Sequence, residues 1–124
     1  MERKYLLTAF GYGILGLVLG IYMAATKNHG QLVTHAHIML LGFVVTFVYA
    51  VVGKLWPVDS TSLMARIQFY SHQLATPVLI LGLFLMYGGL APAPVVGALL
   101  AVSSLVVLLS FILMKVMIIK ALKQ

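Results

Sequence analysis

Cysteine is absent from the chain, which excludes disulfides, thiolate metal centres and c-type haem attachment. Acid is almost as scarce, with Glu2 and Asp59 the only carboxylate side chains among 124 residues. Paired-carboxylate catalysis is therefore excluded, and a carboxylate-lined transport path is disfavoured. No nucleophile–base pair, phosphate-binding glycine loop or low-complexity segment is present either. Charged residues make up 8% of the chain and hydrophobic ones 63%, a balance too apolar for a soluble globular domain.

What is there is long apolar sequence. Runs free of Lys, Arg, Asp and Glu extend over residues 5–26, 28–53 and 67–114. A bilayer-spanning helix takes about 20 residues, and the last run divides at "YGGLAPAPV", where Gly88, Gly89, Pro92 and Pro94 favour a turn. The pattern predicts an all-α membrane protein, a single four-transmembrane-helix bundle (1–124) with spans 5–26, 32–55, 64–88 and 94–119. The basic start of "MERKYLLTAFGYGILGLVLGIYMAATK" is signal-like, but its apolar stretch exceeds a signal peptide's core of about 7–15 residues, so it reads as an uncleaved first helix.

The net charge of +6 does not form a basic stripe with interleaved aromatics, so nucleic acid is not an expected partner. Arg3, Lys4, Lys54, Arg66, Lys115, Lys120 and Lys123 instead flank one set of helix ends, and Lys27 alone marks the other. The positive-inside rule then puts both termini and the middle loop in the cytoplasm, with His29, His35 and His37 toward the outer face. Lys115 lies where its stem can snorkel to the interface.

Strongly polar side chains inside spans are costly and are functional candidates by default. They are His35 and His37 in "THAH", and His72 and Gln73 on the third span, while Thr34, Thr46, Thr76, Ser103, Ser104 and Ser110 can return their hydroxyl bonds to the backbone. Residues two apart on a helix point roughly 200° apart, so one helix cannot aim His35 and His37 at the same ion. If one faces its own bundle, the other faces a neighbouring subunit. Neutral imidazole is the usual axial ligand of b-type haem, and His35 of one subunit with His37 of the next would clamp one iron. The alternative is a pair of neutral interfacial histidines that serve packing alone. Lys27 and His29 lie where haem propionates would be met. His72, about 15 Å deeper than His37, can form a quinone or proton site with Gln73 and Tyr70, or a structural bond to a facing helix. Gly16 and Gly20, with Gly13 one turn earlier, form a close-packing motif. Met39 shares the His35 face as a thioether or core filler, and Pro77 is expected to bend the third span.

The segments "GQLVTHAHIMLLGFVVTFVYAVVGKLWP" and "ARIQFYSHQLATPVLILGLFLMYGG" resemble the catalytic subunit of haem-copper oxidases, in particular the cbb3-type and nitric-oxide-reductase branch. The chain as a whole resembles small four-helix proteins described as oxidase-subunit-I-like. The resemblance implies three copies arranged like the twelve-helix oxidase core, a homotrimer in a bacterial inner (cytoplasmic) membrane, with His35 and His37 at haem-ligand positions. The further histidine pair of the copper site, and the tyrosine crosslinked to a copper ligand, have no counterpart here. The resemblance therefore implies b-type haem with electron transfer or redox sensing, and a quinone or redox partner protein. A gas (O2 or NO) sensor or oxidoreductase with one weak ligand, and a haem-free structural or assembly protein, are the alternatives.

Overall fold

The computed structural model describes residues 1–57 and 59–123. Four helices, each long and apolar enough to cross a membrane, account for nearly all of them: α1 (Glu2–Thr26), α2 (Leu32–Leu55), α3 (Leu63–Gly88) and α4 (Ala93–Leu122). At a rise of 1.5 Å per residue they run about 36–45 Å, longer than the roughly 30 Å hydrocarbon core. This is why α1 starts at Glu2 rather than residue 5, and α4 continues past residue 119 to Leu122. Hydropathy marks the hydrocarbon layer, whereas helical hydrogen bonding carries on into the headgroup zone.

Local chemistry sets the ends. Lys27 closes α1 in the left-handed region at φ 55°, and Asn28 Oδ1 accepts the Gly30 N–H at 3.0 Å to tighten the turn into α2. Ser62 caps α3 by accepting the Ala65 N–H at 3.2 Å, and Gly89 ends it at φ 63°, where a side chain is disfavoured. Pro92 and Pro94 open α4, where missing N–H groups cost little. In the α2–α3 loop, Thr61 donates to Asp59 through N–H at 2.9 Å and hydroxyl at 2.6 Å, which holds that carboxyl below its ordinary range.

The helices pack as two antiparallel pairs, α1 on α2 and α3 on α4, with α2 and α3 joining the pairs. Both termini and the α2–α3 loop share one end, where Met1, Trp56 and Ile118 line a common cavity; at the other end, Gln31 donates to the Phe84 carbonyl at 3.1 Å. Burial is inverted relative to a soluble protein. Leu7, Ile21 and Leu105 lie on the outside at 76%, 70% and 67% exposure, while the largest fully buried side chains include His72, Gln68, Thr34 and Thr46. An apolar exterior with polar side chains paired inside is the arrangement a bilayer selects.

Helix α2 departs from a regular helix and lies close against α1. Residues Ile38–Val45 form a π-helical segment within it, so more residues are spent per turn and the face presented by the second half is rotated relative to the first. On α1, Gly16 packs beneath Ile38 and Met39, and Gly20 beneath His35, so the glycine pair lets the two backbones approach. Helix α3 runs unbroken through Pro77.

Candidate functional site

His35 and His37 sit in the first turns of α2, and each uses one ring nitrogen in the same way. His35 Nδ1 lies 2.8 Å from the Gly16 carbonyl on α1. His37 Nδ1 lies 2.9 Å from the Val33 carbonyl in its own helix. A backbone carbonyl only accepts, so in both residues Nδ1 carries a hydrogen and donates it, and in the neutral form of such an imidazole the lone pair is on Nε2. Neither Nε2 has a hydrogen-bond partner among the described residues. A ligating histidine has its tautomer and orientation fixed in this manner, by a second hydrogen bond from the nitrogen that does not touch the metal.

The two rings are held differently. The His35 ring lies over Gly20, where a Cβ would come within 3.0 Å of its Cε1, so α1 supplies both the hydrogen-bond acceptor and the flat surface. His37 takes its hydrogen-bond partner from its own helix. Both rings are half-buried. Among the described residues no three His, Cys, Asp or Glu side chains gather into a metal-holding group, so a metal held by this pair needs a second source of ligands. As a donor set, imidazole nitrogens without competing carboxylates suit haem iron. Lys27 and His29, both exposed, lie in the α1–α2 loop at the same end of the bundle.

Toward the opposite end, His72 is completely buried. Thr46 Oγ1 on α2 lies 3.3 Å from the Leu41 carbonyl and 2.7 Å from His72 Nε2, with which it shares a hydrogen bond. Thr76 Oγ1, one turn along α3, lies 3.3 Å from His72 Nδ1 and engages the second ring nitrogen. The partner carbonyl stands five residues before Thr46, within the π segment, and that segment turns Thr46 inward to meet α3. With both nitrogens engaged, His72 has none free for iron. Gln73, its neighbour in sequence, donates instead to Thr8 Oγ1 on α1 at 3.2 Å, and Tyr70 is 53% exposed on the outside. His72, Gln73 and Tyr70 are thus directed apart rather than around one pocket.

The residues that do converge with His72 are Tyr5, Tyr49 and Gln68. Tyr5 donates its hydroxyl to Gln68 Oε1. The Tyr5–Phe69 and Tyr49–His72 ring pairs meet edge-on at 4.9 Å. Gln68 Nε2 and the Tyr49 hydroxyl are buried without a partner. Gln68, His72 and Thr76 recur every fourth residue, so this polar stripe is visible in the α3 sequence; the tyrosines that complete it carry no such mark, since tyrosine in a span also reads as an interfacial anchor.

Comparison with protein families, with curated proteins and with solved structures gives no match.

Proposed function

We propose that the chain is a b-type haem-binding membrane protein that carries electrons or senses redox state, working as a homotrimer in a bacterial inner membrane with both termini cytoplasmic. His35 of one subunit and His37 of the next hold the iron between them. The observation that carries this reading is the shared state of the two imidazoles: each Nδ1–H is tied to a carbonyl, and neither Nε2 has a hydrogen-bond partner among the described residues. Packing alone gives no reason for two such lone pairs at membrane level, where an unsatisfied acceptor costs free energy.

Gly16 orients His35, and Gly20 leaves the space in which its ring lies. Lys27 and His29, exposed in the α1–α2 loop at the same end, are the residues this reading assigns to the propionates. Iron held by two imidazoles supplies reversible one-electron transfer and has no open position for a gas. Electron carriage is therefore favoured over oxygen or nitric oxide chemistry, in keeping with the resemblance to the haem-copper oxidase subunit, whose copper-site histidines this chain lacks.

The test is a visible spectrum of detergent-purified protein, oxidised and dithionite-reduced. Sharp reduced α and β bands, abolished in His35→Ala and in His37→Ala and unmoved by carbon monoxide, are expected. A colourless protein that stays colourless after haem reconstitution overturns the reading. A rapid carbon monoxide shift reassigns the protein to gas binding.

A further inference from the structure

Helix α3 carries a second stripe that the histidine sites do not use. Leu63, Arg66, Ile67, Tyr70, Ser71 and Leu74 recur every three or four residues, so they share one face of the helix. That face and Val106 of α4 line a groove of about 520 Å³ on the outside of the bundle. It opens toward the end that holds both termini, since Arg66 is the fourth residue of α3.

The groove is graded from charged to apolar along its length. Arg66, the only charged residue in α3, stands at its mouth. Tyr70 and Ser71 follow about 6 and 7.5 Å further along the helix. Leu74 and, across the groove, Val106 come next and are purely apolar. Cation, then hydroxyls, then hydrocarbon is the complement of a phospholipid read from the surface inward: phosphate, glycerol esters, acyl chains.

Nothing within the chain takes up the charge. The one ion pair among the described residues joins the Met1 amine to Glu2 at 3.5 Å, and the Asp59 carboxyl accepts the N–H and hydroxyl of Thr61. A second copy brings only the same two carboxylate side chains, each already engaged in its own chain. Among the described residues the Ser71 hydroxyl makes no bond to a carbonyl, unlike those of Ser103 and Ser110 on α4. No carboxylate lines the groove, so the ammonium of a zwitterionic headgroup finds no counter-charge there. A small soluble anion matches poorly too, because Leu63 and Leu74 leave apolar surface exposed on either side of Arg66 at 71% and 67%.

We propose that this groove binds an anionic diacyl phospholipid. Arg66 holds the phosphate, Tyr70 and Ser71 donate to the glycerol ester region, and an acyl chain lies along Ile67, Leu74 and Val106. Guanidinium suits the first role because its planar fork meets two phosphate oxygens at once. The inference uses the four spans but neither haem nor the histidine pair, so it can fail or succeed separately from the electron-transfer reading.

The test is native mass spectrometry of delipidated full-length protein, titrated with dioleoylphosphatidylglycerol or with dioleoylphosphatidylcholine, which has the same chains. Binding of the anionic lipid about five- to tenfold more tightly is expected, the size of one charge contact at a membrane surface. Arg66→Gln should abolish that preference. Tyr70→Phe and Ser71→Ala should each weaken the anionic lipid about two- to tenfold, as loss of a neutral hydrogen bond does. Val106→Trp, which fills the groove and leaves every charge in place, should weaken both lipids while circular dichroism shows the helices intact. Lys120→Gln removes an exposed charge at the same end but outside the groove, and should bind as the unaltered protein does. Equal affinity for the two lipids, or equal losses in Lys120→Gln and Arg66→Gln, overturns the proposal and leaves Arg66 as one charge in a general positive field. Displacement of the lipid by inorganic phosphate overturns it in favour of a free anion. A change of oligomer mass in Arg66→Gln or Val106→Trp without added lipid overturns it in favour of a second copy seated in the groove.

Discussion

His35 gives its Nδ1 hydrogen to the carbonyl of Gly16 at 2.8 Å, so the helix that carries the imidazole does not by itself orient it. Helix α1 does, and it can approach closely enough because Gly16 and Gly20 have no side chains.

If His35 ligates haem as proposed, that dependence makes Gly20 a positioning residue. A Cβ there would stand 3.0 Å from His35 Cε1, and the larger side chain of Gly20→Leu must push the ring off the Gly16 carbonyl. Loss of such an orienting contact lowers metal affinity about 10- to 100-fold. Haem content per purified protein should fall accordingly. Gly11→Ala, which faces open space, should leave it unchanged. Equal haem content in the two variants would show that α1 does not set the His35 geometry.

The Thr46–His72 bond joins α2 to α3 and should appear as stability. Thr46→Val leaves His72 Nε2 buried and unpaired. An orphaned buried donor or acceptor costs about 1–3 kcal/mol, whereas interhelical pairs in membranes average about 0.6 kcal/mol, so a loss of about 1 kcal/mol is expected. His72→Leu alone should cost a similar amount, and the double variant less than the two singles combined. Unfolding of all four proteins in mixed micelles by increasing SDS measures the coupling; strict additivity would mean that the bond contributes nothing.

Much of this architecture was legible in the sequence. Uninterrupted apolar runs gave away four spans, because a bilayer tolerates little else. The separation of the His35 and His37 environments followed from helical geometry. The π segment was not legible. The lone glycine in "IMLLGFVV" weakens a helix without marking a π segment; the wider turns accompany contacts made at a distance, Gly42 against Tyr12 and Thr46 against His72. The Tyr5–Gln68 pair carried no sequence signal either, because neither side chain titrates near neutral pH and 63 positions separate them. His72 and Gln73 looked like one site because they are adjacent in sequence, yet adjacent helical residues point about 100° apart and address different neighbours.

Gly42 offers a test of the π segment itself. A Cβ at this position would meet Tyr12 Cγ at 2.7 Å, against the ring base rather than a flexible tip. Gly42→Ala should therefore destabilise the bundle by about 1–3 kcal/mol, the usual cost of overpacking. Gly97→Ala, with nothing within 4 Å, should be neutral or stabilise α4 by up to about 1 kcal/mol through helix propensity. Thermal aggregation temperatures of the two variants should move in opposite directions or differ clearly in size, and coincidence would contradict the packing described at Gly42.

Haem and assembly should be linked. If His35 and His37 of neighbouring subunits share each iron, haem binds the oligomer and not the separated chain, and a ligand selective for one state stabilises it by mass action. A hundredfold excess over the dissociation constant is worth about 2.7 kcal/mol per site, enough to change subunit dissociation in detergent about 100-fold. Protein produced with haem synthesis blocked should therefore shift toward monomer on dilution, and regain the trimer mass in native mass spectrometry when haem is added. His37→Ala should remain dilution-sensitive with or without haem, although its fold is untouched, because His37 bonds only to its own helix. Should the haem-free protein hold the same oligomer at every dilution, the subunits are joined by other contacts. Should haem bind a stable monomer, the clamp between subunits is overturned, because residues two apart on a helix point roughly 200° apart and one chain can offer only one of the two imidazoles to an iron.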